Sequence, residues 1–160
     1  QDVDSIIDQQ RRTRVNTIQI VDTLLDGTHQ ELKDALPGIS IVQVIHVNGP
    51  ESINEAKKLA PFIDGILLDS GNQYLKIKEL GGTGRVHDWS LSREIVQKVK
   101  VPIYLAGGLK TENVSEAIKQ VRPYGLDLCS GLRTSGKLDE DKLSTFFNEV
   151  DLTCREYDTY

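Results

Sequence analysis

The chain of 160 residues has no methionine, a single tryptophan and only two cysteines. Cys129 and Cys154 are far apart, the first in an apolar run and the second in a polar C-terminal stretch. This excludes a disulfide framework and a Cys-x-x-Cys metal site, and is read as two free thiols in a reducing compartment. No apolar run approaches the roughly 20 residues that a membrane span needs, and no charged-then-apolar leader precedes the first helical pattern. A membrane is therefore not an expected partner, and a cytoplasmic location is expected. Basic residues are also short: Lys+Arg number 19 against 24 Asp+Glu, a net charge of -5. Nucleic acid is not an expected partner of such a chain. An anionic metabolite is not excluded, because backbone N–H groups at a helix N-terminus supply local positive potential whatever the net charge.

Histidine is sparse as well. His29, His46 and His87 show no His-x-x-x-His spacing, so a metal site is not expected. His46, in Ile45-His46-Val47, ends a strand and reads as a satisfied structural histidine. Arg11, Arg12 and Arg14 among Gln and Thr read as a solvated helix face.

What the chain does contain is a repeat of one unit, an apolar β-branched run followed by an amphipathic helix. Strands are expected at Thr17–Val21, Ile39–Val47, Ile63–Leu68, Val101–Leu105 and Gly125–Cys129, with a short sixth near Arg85–Asp88. Helices are expected over the first residues, then from Gly27-Thr28 to Leu36, Pro50–Leu59, Ser90–Val99, Thr111–Val121 and Asp139–Val150, the last with Asp139 as N-cap. Near-continuous apolar strands separated by single helices imply an α/β fold with a parallel sheet covered on both sides.

A phosphate-binding (β/α)8 TIM barrel has eight such strands in roughly 250 residues. Gln1 already lies inside a helical pattern. The expectation is a barrel without its first two strands and the helix between them: one domain over 1–150 and a tail over 151–160. An opened sheet has raw edges and an exposed apolar interior, through which an oligomer with another copy is expected.

Leu67-Leu68-Asp69-Ser70, Gly81-Gly82-Thr83-Gly84-Arg85, Asp88-Trp89-Ser90, Leu105-Ala106-Gly107-Gly108-Leu109, Glu112-Asn113-Val114, Arg122-Pro123-Tyr124-Gly125 and Ser130-Gly131 occur in one order. The set resembles the phosphoribosylanthranilate isomerase family over most of Asp64 to Phe147. That resemblance implies an eight-stranded barrel and an Amadori rearrangement of N-(5-phosphoribosyl)anthranilate to the 1-deoxyribulose 5-phosphate, in tryptophan biosynthesis. It implies a phosphosugar substrate and no cofactor. Asp69 matches the general acid that protonates the ribose ring oxygen; the base is a cysteine on a first strand that this chain does not contain. Gln19-Ile20-Val21-Asp22 departs from the family's Gln-Leu-His-Gly, with Val21 in place of a substrate-side histidine.

Position adds to this. Asp69 ends an apolar strand on the face where such barrels place their chemistry, and a carboxyl group partly removed from water there is suited to donate a proton. A helix cap or ion-pair partner is the plainer alternative. Gly107, Gly108, Ser130 and Gly131 end the last two strands, where glycine lets backbone approach phosphate oxygens; a short helix near Leu132–Ser135 would offer N–H groups. Tight turns are the alternative. Gly82 and Gly84 lie in a loop without the Lys-Ser/Thr of a nucleotide P-loop, and are read as a cover over the site. Trp89 is read as packing beneath it.

Asp127 matches a family residue near the anthranilate end, and a structural carboxylate is an equal alternative. Cys129 shares its parity and reads as an inert small core residue. Aldolase-like, epimerase-like or indole-glycerol phosphate synthase-like barrels need a strand lysine or metal-binding histidines, and only Lys100 sits near a strand. A non-catalytic paralogue that keeps the phosphate loops is the other rival.

Overall fold

The computed structural model describes residues 2–71 and 86–158. Five parallel strands stand in sequence order: β1 (Thr17–Ile20), β2 (Ser40–His46), β3 (Gly65–Asp69), β4 (Ile103–Leu105) and β5 (Gly125–Leu126). Among the described residues one α-helix lies in each segment between paired strands, as the crossover of a parallel pair requires. Around them run α1 (Val3–Thr13), α2 (His29–Ala35), α3 (Glu51–Leu59), α4 (Trp89–Lys98), α5 (Thr111–Val121) and α6 (Glu140–Asp158). Among the described residues the sheet has five strands rather than the six expected. Residues 86–88 are irregular and lead directly into α4, whose N-cap is Asp88.

At α1, α2 and α4, side chains satisfy free N–H groups of the first turn. Asp2 accepts from Ser5 N at 2.8 Å to open α1, and Thr28 with Glu31 forms a full capping box on α2. Asp88 accepts from Ser90 N at 2.9 Å.

The sheet has two unlike faces. Ile20, Ile41, Ile45, Ile66, Leu68, Ile103 and Leu105 point outward and pack with Val3 and Ile6 of α1, Leu32 of α2, Ala56 of α3, Ile95 of α4 and Val121 of α5. Each Val, Leu or Ile of this set contributes about 1.5–3 kcal/mol on burial. The other face has its own small cluster of Val44, Leu67 and Ala106 with Val42 and Tyr104, drawn from strands alone. One face is thus covered by helices and the other by neighbouring strands, the arrangement of a barrel wall rather than of a sheet flanked by helices on both sides.

The C-terminal part departs from expectation twice. The helix expected near Leu132–Ser135 is a 3-10 turn over Ser130–Leu132, followed by a hairpin of β6 (Arg133–Thr134) and β7 (Lys137–Leu138). Ser135 and Gly136 both have positive φ, 51° and 78°, as a two-residue primed turn demands. And α6 continues to Asp158, so 151–158 is helix rather than tail. Thr153 explains the extension: it is 2% exposed, and its hydroxyl lies 3.0 Å from Ser115 Oγ, docking the last turns on α5.

Candidate active site

The inner face carries polar side chains at the C-terminal ends of β2 and β3. β2 and β3 pair with Val44 opposite Leu67 and His46 opposite Asp69. Period-two alternation puts Leu67 and Asp69 on one face, so Asp69 sits at the rim of the inner cluster. It is 6% exposed. His46 stands beside it, buried, with Nε2 3.1 Å from the carbonyl of Val21 at the end of β1. A carbonyl only accepts, so Nε2 carries the proton. Its Nδ1 is buried and has no hydrogen-bond partner among the described residues.

His87 approaches Asp69 from the start of α4. Its Nε2 lies 2.6 Å from Ser92 Oγ, and its Nδ1 is also buried, with no hydrogen-bond partner among the described residues. Burial pushes its pKa down to about 4, although the charges of Asp69 and Asp88 oppose the shift. The ring is therefore neutral near pH 7. Trp89 follows, 8% exposed and part of the outer core.

The glycine-bearing strand ends are drawn together by contacts that only glycine permits. Gly107, with φ +85°, passes so close to Ser70 that a Cβ would lie 2.7 Å from its Oγ and 2.9 Å from its backbone N. At Gly131 a Cβ would fall 2.1 Å from the carbonyl oxygen of Leu109. The loop after β4 is thus clasped between the end of β3 and the turn after β5. Gly108 has φ +65°, and its carbonyl accepts from Asn113 Nδ2 at 3.0 Å, while Asn113 Oδ1 accepts from Lys110 N at 2.9 Å to cap α5.

The structure brings Asp69, Gly107, Gly108, Ser130 and Gly131 to one end of the sheet. Asp127 continues β5 at the same end, its N–H bonded to Leu105 O at 2.9 Å, with an exposed side chain. Cys129 is exposed rather than core, and its Sγ lies 3.3 Å from Arg133 Nε. Gly82 and Gly84 lie outside the described residues. Sequence reading undervalued His46 and His87. The available signal for His46 was its parity with Val44, which places it on the inner face.

Among the described residues no group of three or more His, Cys, Asp or Glu side chains is placed to hold a metal ion. None of their helices is long and apolar enough to cross a membrane.

The model of the N-(5'phosphoribosyl)anthranilate (PRA) isomerase family matches residues 1–149. The chain belongs to this family. N-(5'-phosphoribosyl)anthranilate isomerase 2 of Methanosarcina mazei is 40% identical over 150 residues, 93% of this chain and 66% of that protein. The chain thus spans just under two thirds of the length of that PRA isomerase. The crystal structure of the Thermotoga maritima PRA isomerase superposes with a TM-score of 0.69 at 27% identity, covering 94% of this chain and 69% of that one. A PRA isomerase solved in complex with reduced 1-(o-carboxyphenylamino)-1-deoxyribulose 5-phosphate superposes with a TM-score of 0.66 at 25% identity, covering 94% of this chain and 67% of that one. The five strands are accordingly part of a β/α barrel of the PRA isomerase type.

Proposed function

We propose that the chain supplies the acid and the phosphate anchor for isomerisation of N-(5'-phosphoribosyl)anthranilate to 1-(o-carboxyphenylamino)-1-deoxyribulose 5-phosphate, a cytoplasmic step of tryptophan biosynthesis. The observation that carries this reading is the position of Asp69, an inner-face carboxyl at a strand end beside the clasped glycine loops. The bound reduced product of the PRA isomerase relative is the ligand chemistry such a site would take.

The reaction needs a proton on the ring oxygen of the ribose as the C1–O bond breaks, and loss of the C2 proton to a base, giving an enolamine that becomes the ketone. Asp69 is assigned the first step. The base is assigned to no residue of the described site. Backbone at Gly107, Gly108, Ser130 and Gly131 would hold the 5'-phosphate, a remote anchor that fixes the reacting carbons against the acid. Asp127 is placed towards the anthranilate end, and Gly82 and Gly84 in the loop over the substrate.

Asp69→Asn in a turnover-competent form of the protein tests the assignment. It should lower kcat by about 10²–10⁴-fold, the usual contribution of a positioned acid, while the affinity for the reduced product analogue changes little. Retained turnover would move the acid elsewhere. A non-catalytic paralogue would bind that analogue and show no turnover with Asp69 intact.

A further inference from the structure

The outward row of β2 is Ile41, Gln43, Ile45, all buried, and its middle member is polar. An aliphatic side chain would fill that place at no hydrogen-bonding cost, so a buried glutamine there is informative. Gln43 is 3% exposed, and its Nε2 donates towards the carbonyls of Ile20 at 3.1 Å, Asp22 at 3.3 Å and Val44 at 2.9 Å. These carbonyls fix the orientation of the amide, leaving Oε1 as an acceptor 2.8 Å from His29 Nε2. His29 Nε2 therefore carries the proton, and in the neutral ring Nδ1 is an acceptor. That nitrogen has no hydrogen-bond partner among the described residues.

His29 and Gln43 line a cleft of about 850 Å³ between α2 and α3 on the helix-bearing side of the sheet, a volume typical of small-molecule sites. Leu24, Leu59 and Phe62 give it apolar walls, and Glu51 and Glu55 add two carboxylates. Glu55 is half-buried and has no hydrogen bond or ion pair among the described residues. Burial raises its carboxyl above the usual carboxylate range; His46 opposes this and Glu51 adds to it. The one lysine on the lining, Lys58, is exposed. The cleft offers acceptors and negative charge over an apolar floor, and Lys58 makes no ion pair with Glu51 or Glu55 among the described residues.

We propose that this cleft binds a primary organic ammonium carrying an apolar body. Glu55 takes the cationic head, His29 Nδ1 accepts one of its N–H groups, and Leu24, Leu59 and Phe62 receive the apolar part. The site is on the opposite face of the sheet from Asp69, so it stands or falls independently of the isomerase reading.

The test is a titration of the ¹⁵N-labelled protein with 2-phenylethylammonium, followed by amide shifts, with 2-phenylethanol as the uncharged probe of like shape. Saturable shifts confined to residues 23–30 and 51–62 are expected, with the uncharged probe weaker by about tenfold or more, since a charge-assisted hydrogen bond is at stake. Glu55→Gln, nearly isosteric, should weaken the ammonium to a similar degree and leave the weak binding of the alcohol unchanged. No saturable shift up to roughly 20 mM, a concentration that would reveal even millimolar affinity, would overturn the proposal. So would equal binding of the two probes, or undiminished ammonium binding by a folded Glu55→Gln variant. Should that variant not fold, the comparison of the two probes on the parent protein decides alone.

Discussion

His46 and Asp69 are register partners on adjacent parallel strands, both on the inner face and both buried, at 4% and 6% exposure. The imidazole is nevertheless committed elsewhere, its Nε2–H bonded to the Val21 carbonyl across β1. His46 therefore ties the ends of β1 and β2 together next to the carboxyl that ends β3.

Replacing His46 with phenylalanine keeps most of the volume and removes that bond. The folded state should lose about 0.5–1.5 kcal/mol, the net worth of a hydrogen bond, this one being partly buried. A urea titration would show a lower midpoint at an unchanged slope; an unchanged midpoint would mean that the bond contributes nothing.

Gly131 and Gly136 make a paired experiment on glycine. A methyl group at Gly131 meets the Leu109 carbonyl oxygen at 2.1 Å, whereas one at Gly136 meets nothing within 4 Å and bears only the strain of φ +78°. Gly136→Ala should cost about 1 kcal/mol, as positive φ does for an L residue. Gly131→Ala should cost about 1–3 kcal/mol by forcing backbone apart and should also weaken phosphate-ligand affinity. Unchanged thermal stability together with unchanged phosphate-ligand affinity in Gly131→Ala would contradict the clasp.

His87 makes the fold acid-sensitive. Its pKa is lowered on folding from 6.5 to about 4, so between those values the unfolded chain binds more proton than the folded one. Stability from this group is whole above pH 6.5 and is lost as pH falls towards 4, by up to about 3 kcal/mol. Stability measured from pH 7 to 4 should show that loss, and His87→Phe should flatten the part of the slope that His87 contributes.

Asp64 works in the same direction by other means. Burial would raise its carboxyl, but bonds from Ile41 N at 2.8 Å and Lys33 Nζ at 2.9 Å outweigh burial and hold it below the usual carboxylate range. A depressed carboxylate stabilises the fold above its unfolded pKa, and that stability fades as pH falls through the folded value. Asp64→Asn should cost about 0.5–1.5 kcal/mol at pH 7, since the ion pair is largely exposed and the backbone bond is partly kept. The deficit should shrink at pH 3, which parallel denaturation curves at the two pH values would reveal.

Much of the wall was legible because it is local. Thr111–Val121 is a helix over the expected span because a period of 3.6 and a capping asparagine at position 113 are both written in eleven residues. Ser40–His46 and Gly65–Asp69 were legible as apolar β-branched runs. The end of α6 was not, because it is held by Thr153 against Ser115, a contact between distant parts of the chain. The hairpin at Ser135-Gly136 was missed although its turn signal is local. The sequence reading gives that segment a short phosphate-facing helix near Leu132–Ser135 instead of a turn.

The sequence by itself determined that alternating strands and helices would build a parallel barrel wall, and that Asp69 would end an apolar strand of it. Period and composition act over a few residues, so they can be read directly. Only the tertiary structure decided that His46 and His87 flank that carboxyl, that Gly131 closes on Leu109, and that Gln43 turns outward to hold His29. Those relationships depend on strand register and on which segments pack together, and both are set by the burial of the whole set of apolar residues at once.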